Sequence, residues 1–347
     1  MTQRDGYALP LTLAAIIVIA LVAAMAAEQV RSSTQTVTRL SDQMRHRTDM
    51  ISAEQTLIYN LLTEPMGRSG VAMGQVSDTT SLILGGSNST QGGAMIRANG
   101  QAYRFSGSGI VVRLYDDQSF LNASSNDPAH ITDILTLYGV PEPQHERLIA
   151  ALRDYQDEDD LRTLAGAEAQ DYETEGLPRN EPLRDVVELC AVQYWGETQV
   201  CEDAGRMLLT LRARTSDRLS PMLTSEAMID LMLADEDRET VLETFRLYAQ
   251  GQYSNFGQIG QGRLDQLRDP LSTITNPGPF LTLVTHTSDG ATAQRTVIEL
   301  TPNSLISPFV VHSKYAIGGE YSQNILRIES IEDVAPLPQS PSIPAER

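Results

Sequence analysis

Between positions 154 and 171 the chain reads Asp154-Tyr155-Gln156-Asp157-Glu158-Asp159-Asp160, then Gly166-Ala167-Glu168, then Asp171. Asp157, Asp159 and Asp160, with Glu168 and Asp171 behind them, are the residue types that collect around a hard cation. Ca²⁺ takes six to eight oxygen ligands. The offsets are not those of an EF-hand, whose glycine and distal glutamate fall elsewhere. An acidic run at a helix end also serves as a plain solvated surface, and spacing alone leaves both readings open. Other chemistry is not visible. The five histidines form no H-E-x-x-H pair, and there is no G-x-x-x-x-G-K. Ser108, between Gly107 and Gly109, lacks the spacing of a nucleophile elbow. No catalytic residue is assigned.

The acidic run lies inside a helical block. Asp127-Pro128 reads as an N-cap followed by the first helical residue, and Gly139 closes that helix. A second helix is expected from about Pro143, burying Leu148, Ile149, Leu152 and Tyr155. Further helices are expected from Pro182, from Thr224 or Ser225, and from Glu239 to Ala249. On either side the apolar period changes to two. Tyr103, Phe105, Ile110, Val112 and Leu114 alternate before the block, and strand patterns return at 280–286, 295–300 and 308–314. An all-helical block therefore interrupts a mixed α/β unit. Residues 67–100, rich in Gly, Ser, Thr and Asn, read as a loop or loose hairpin. The Pro-rich stretch 334–347 reads as disordered.

Upstream, Gln3-Arg4-Asp5-Gly6 precedes an uncharged run from Tyr7 to Ala27, long enough to cross a bilayer core. No proline or glycine occurs from Glu28 to Leu62, so one helix about 80 Å long is expected from about Ala8 to about Leu62. Val30, Val37, Met44, Ile51 and Ile58 recur at seven-residue spacing, whereas the companion line includes Arg47 and Glu54. The distal part, Ile51 to Leu62, is expected to pack on the chain's own globular part, and Val30 to Met44 on a partner helix. The net charge of −19 argues against nucleic-acid binding, which needs clustered Lys and Arg. Lys314 is the only lysine and reads as compositional bias.

A charged leader ending in Gly6 before a spanning helix is the layout of prepilins. Val112-Arg113-Leu114-Tyr115-Asp116-Asp117 follows, leading into Leu121-Asn122. Then come Gly139-Val140, Ala151-Leu152-Arg153-Asp154-Tyr155, Asp157, Asp159-Asp160, Gly166-Ala167-Glu168, Asp171-Tyr172, Arg179-Asn180, Pro182-Leu183 and Glu188-Leu189. Together these resemble the K-type minor pseudopilins of the type II (general) secretion pathway, most strongly over residues 110–190. Leu11 stands where most pilin-like chains carry Glu as the fifth mature residue. K-type members commonly lack that acid, whose unpaired burial in lipid is costly. The Asn-rich turn usual in the family's second helical half is replaced by Leu219-Ser220-Pro221-Met222-Leu223-Thr224, and no function is carried over there.

The resemblance implies an α+β, pilin-like fold: a long N-terminal transmembrane helix packed on a small antiparallel sheet, with a large inserted helical domain. Its parts would be a leader (1–6), the transmembrane and periplasmic halves of the first helix (7–27 and 28–64), strands and loops (67–126), the helical insertion (127–250), further strands (251–333) and the tail (334–347). It also implies cleavage by prepilin peptidase between Gly6 and Tyr7, and residence in the bacterial inner membrane with the C-terminal domain in the periplasm. The partners implied are I- and J-type minor pseudopilins, with the secretin and the inner-membrane platform as further ones. A structural Ca²⁺ at Asp157, Asp159, Asp160, Glu168 and Asp171 is implied as well. An oxidising periplasm favours a Cys190–Cys201 disulfide, against Cys190 as a small buried apolar residue. A minor pilin of a type IV or competence pilus, or a membrane-anchored periplasmic metal-dependent enzyme, are the alternatives.

Overall fold

A computed structural model describes residues 8–67, 69–73, 95–213, 225–232, 277–318, 326 and 331–338. The expectations for Gly6, Tyr7 and the helix at 239–249 lie outside those residues. Residues 1–51 and 52–347 form two compact units.

The first unit is helical. Helix α1 (Ala8–Thr63) begins in it and ends in the second unit. It is long and apolar enough to cross a membrane. Leu13, Ile16 to Ile19, Leu21, Val22 and Met25 are all exposed, the condition of side chains suited to lipid. Val30, Val37, Leu40 and Met44 are exposed as well.

The second unit contains a five-stranded antiparallel sheet of β4 (Asn99–Arg104), β5 (Ile110–Asp116), β8 (Phe280–Thr287), β9 (Ala293–Leu300) and β10 (Phe309–Ile317), in the order β10-β9-β8-β5-β4. A smaller three-stranded sheet joins β1 (Met66–Gly67), β2 (Gly70–Ala72) and β3 (Met95–Arg97). Ala53, Leu57, Ile58 and Leu61 of α1 are buried, whereas Ile51, on the seven-residue line, and Leu62 are exposed, so only part of the distal stretch packs as expected. The fold is α+β, with an N-terminal apolar helix and small antiparallel sheets.

Interior strand β5 is buried along almost its whole length and pairs on one side with β8, from Ile110 opposite Thr287 to Asp116 opposite Leu281. The helical block fills the connection between these two adjacent strands. Its first helix, α2 (Pro128–Leu137), is capped by the Asp127 carboxylate, which accepts from the Ala129 N–H at 3.0 Å. It stops where Gly139 takes a left-handed φ of 75°. Helix α3 (Glu142–Gln156) buries Leu148, Ala151, Leu152 and Tyr155. Short helices α4 (Gln199–Glu202), α5 (Ala204–Thr210) and α6 (Glu226–Met232) follow. A parallel contact between β6 (Leu121–Asn122) and β7 (Leu211–Arg212) ties the start of the block to its later part. One continuous apolar core runs from Tyr115 and Phe120 through Ile131, Leu135, Leu152 and Trp195 to Leu208.

Two local expectations are corrected. The stretch after Pro182 forms only a 3₁₀ helix, Val186–Ala191, capped by Asp185. Adjacent β-branched Val186 and Val187 favour a short tight element over a long helix. The tail is also held at its start. Arg104 N–H donates to Ala335 O at 2.8 Å, Leu337 N–H donates to Arg104 O at 2.7 Å, and Leu337 is buried. Both bonds come from the neighbours of Pro336, so its missing N–H is not needed by the ladder.

Candidate cation site

The last turn of α3 turns Asp154 inward beside Ala151 and Tyr155, and its side chain is fully buried. One carboxylate oxygen, Oδ2, accepts from the Thr163 N–H at 3.1 Å, while Oδ1 has no protein partner. After α3 ends, the chain turns through 157–160 and returns at Gly166 against the same carboxylate. A Cβ at Gly166 would overlap both the Asp154 carboxylate and the Thr163 hydroxyl, so only glycine fits there. The next residues bring in Glu168, which is 2% exposed and has no partner for either carboxylate oxygen. Asp157 Oδ1, Thr163 Oγ1 and Asn180 Oδ1 are likewise buried without a partner. Buried polar atoms in folded proteins are overwhelmingly paired. Six such oxygens in one loop system mark a polar hole that wants a positive charge.

The electrostatics agree. Burial is the largest influence on Glu168, followed by the charges of Asp154, Asp157, Asp160 and Asp159, and together they push its carboxyl up to about 7. Burial, then Asp159 and Asp154, also raises Asp157 against the pull of Arg153. A hard divalent cation would offset this repulsion directly. Among the described residues no group of three or more Asp, Glu, His or Cys side chains is placed so that it could hold a metal ion by itself. The donors here include amide and hydroxyl oxygens as well as carboxylates, a mixture that suits Ca²⁺ and not a thiolate- or imidazole-seeking metal.

Of the five acids expected as ligands, Asp157 and Glu168 join this group. Asp159 and Asp160 are exposed at its rim: Asp159 Oδ1 accepts from Leu161 N–H at 2.8 Å, and Asp160 Oδ1 from Asn180 Nδ2 at 3.0 Å. Asp171 has a local task. Its Oδ2 accepts from the Glu168 N–H at 3.0 Å and its Oδ1 faces Arg162 Nη1 at 3.3 Å, which fixes the turn that presents Glu168. Asp154 and Asn180 were not among the expected ligands. An acid on the buried face of α3 was the signal for Asp154, and a non-glycine residue at a φ of 51° marks Asn180.

The disulfide lies in the same part of the block: Cys190 and Cys201 are joined, with Cα atoms 5.7 Å apart. Nearby, Arg179 reaches Glu181 and Glu188 at 2.8 Å each, bracing the segment that carries Asn180.

No curated protein matches the sequence. A similar solved structure is a chain from the crystal structure of the GspK–GspI–GspJ complex of the enterotoxigenic Escherichia coli type 2 secretion system. It is 16% identical, with 60% of this chain and 79% of that chain covered and a TM-score of 0.37. Residues 111–201 match the family model described as type II secretion system (T2SS), protein K. That span takes in β5, α2, α3, the acidic turn, Gly166-Ala167-Glu168 and both cysteines. Through residues 111–201 the chain is similar to the type II secretion system protein K family.

Proposed function

We propose that this protein stands at the tip of a short periplasmic pseudopilus, where it primes assembly with I- and J-type minor pseudopilins and aids export of folded proteins across the outer membrane. The observation that carries this reading is the protein K match over a helical block inserted between two adjacent strands. A block of that size would collide with a subunit stacked above it, so the leading position accommodates it. The exposed line Val30, Val37 and Met44 supplies a face for neighbouring helices. The related GspK chain is named in a complex with GspI and GspJ, which is the source of the partner assignment. Prepilin peptidase would cut between Gly6 and Tyr7, leaving the helix in the inner membrane.

The helical block holds a structural Ca²⁺. Asp154, Asp157 and Glu168, with Asn180 and Thr163, are the residues that would hold it, and Asp159 and Asp160 complete the acidic rim. The cation supplies charge compensation for a loop whose carboxylates otherwise repel one another. Secretin and inner-membrane platform contacts follow from the tip position and the anchor.

Co-purification of the full chain with the I- and J-type proteins from detergent-solubilised membranes tests the assembly role. A stable three-component complex is the expected result, and a chain that purifies alone would overturn it. Mass spectrometry of the same material checks the processing: a mature chain beginning at Tyr7 is expected, and an intact leader would contradict it.

A further inference from the structure

Four charged side chains outside the cation site are buried where the helical block meets the sheet. Asp117, on the turn that follows β5, is 3% exposed, and Arg295 of β9 is 2% exposed. The block contributes Arg212 of β7, also buried, and Asp185, whose side chain is 13% exposed. Such groups are almost never buried unless paired. Two cations and two anions balance here, and all four line one small cleft between the block and the sheet.

Bonds cross the boundary at three places. Arg212 Nη1 donates to the Asp117 backbone O at 2.8 Å, the Tyr315 hydroxyl donates to Asp185 Oδ1 at 3.3 Å, and Arg295 Nη1 pairs with Asp185 Oδ2 at 3.5 Å. The sheet side is braced without the block: Thr282 Oγ1 donates to Asp117 Oδ1 at 2.6 Å, and Arg295 Nη1 to the Tyr315 hydroxyl at 2.9 Å. Asp185 is also fixed on its own side, because its Oδ1 accepts from the Val187 N–H at 3.2 Å and caps the 3₁₀ helix. Strands β8, β9 and β10 thus present a preset socket, and one capped turn of the block plugs into it.

Apolar packing joins the two parts as well, since Tyr115, Val284 and Ala293 of the sheet share a core with Leu183 and Val186. That attraction is non-directional and tolerates small shifts. Hydrogen bonds and ion pairs constrain angle as well as distance. A buried ion pair adds little net stability over well-packed apolar residues of the same volume, so its contribution here is geometric. We propose that Asp117, Asp185, Arg212 and Arg295, with Tyr315, form an orientational latch that holds the helical block at one angle on the sheet. Releasing it lets the block shift on the sheet without unfolding.

The test sets distance against stability in the full chain in detergent, with the disulfide intact. Nitroxide labels are attached through p-acetylphenylalanine at position 101, exposed on β4, and at position 144, exposed on α3. Pulsed electron–electron double resonance should give one narrow distance for this doubly labelled chain. Asp185→Leu should lower its melting temperature, because Arg295 loses its buried counter-charge. Adding Arg295→Met should recover most of that loss, yet leave a broadened or second distance. A double variant that keeps the single narrow distance overturns the latch, since packing alone then sets the angle. Should the double variant fail to fold, Asp185→Asn with Tyr315→Phe weakens the same contacts at almost unchanged volume. The same broadening is expected of it, and an unchanged narrow distance overturns the inference.

Discussion

The ammonium of Lys314 lies 2.9 and 3.0 Å from the two carboxylate oxygens of Glu54, across 260 positions of sequence. Glu54 is on the last turns of α1 and nearly fully buried, where it also accepts from Gln294 Nε2 at 2.6 Å and Thr296 Oγ1 at 3.2 Å. The single lysine of the chain therefore has a structural role: it fastens the end of α1 to strand β10. The acid that interrupts the second heptad line is the acceptor of this clip.

Lys314→Met should destabilise the folded protein by about 2 kcal/mol, because it leaves a buried carboxylate with only neutral donors. Glu54→Leu combined with Lys314→Met should cost less than Lys314→Met alone, since the uncompensated charge is then gone. Urea unfolding of the two variants checks the order. Equal stability of Lys314→Met and wild type would show that the neutral donors suffice.

Calcium should raise the melting temperature. A ligand that binds only the folded state adds RT ln(1 + [L]/Kd), about 2.7 kcal/mol at a hundredfold excess over Kd. Chelation with EDTA should reverse the gain, and Asp154→Asn with Glu168→Gln should abolish the response. Identical melting of the wild type in EDTA and in millimolar Ca²⁺ would reduce the cluster to an acidic surface loop.

The Cys190–Cys201 bridge closes a short loop, so Cys190→Ser with Cys201→Ser should lower stability by about 2–3 kcal/mol. Thiol labelling of the unfolded, unreduced wild type should find no free cysteine. Labelling of both would refute the bridge.

Stability should also fall as pH rises toward neutrality, through Asp116. Burial is the dominant influence on its carboxyl and the neighbouring charge of Asp117 adds to it, pushing it up to about 7 against the N–H groups of Gln118 and Gly278. An unfolded aspartate titrates near 3.8. Between those values the folded state binds the proton and the unfolded state does not. The stability present at low pH is therefore lost progressively up to about pH 7, with a limiting slope of about 1.4 kcal/mol per pH unit for one proton. Asp116→Asn should remove this slope. Chemical denaturation at pH 5, 6, 7 and 8 would show it as a difference between wild type and variant.

Much of the fold was legible because its signals are local. Asp127-Pro128 and Gly139 bracket α2 through capping and backbone conformation, and the alternation from Ile110 to Leu114 marks a strand. The long apolar run defines α1. What could not be read depends on which distant residues meet. Nothing near Lys314 in the sequence points to Glu54. The acidic run announced a cation, yet the deepest carboxylate is Asp154, hidden as part of a helix face. The exposed acids Asp159 and Asp160 were as conspicuous in sequence as Asp157 but differ from it in depth, and depth is set by tertiary packing. Leu337 was hidden by proline-rich composition, which reports weak helix and sheet propensity but not a two-bond contact with Arg104.

Asp116 and Leu281 are direct partners across β5 and β8, although the whole helical block lies between them in sequence. In topological terms that block is a hairpin turn grown to the size of a domain, entering and leaving the sheet one strand apart. The pairing runs unbroken from Ile110 opposite Thr287 to Asp116 opposite Leu281. Replacing residues 123–276 with a short Asn-Gly connection would therefore join β5 to β8 directly and make a slender chain from a bulky one.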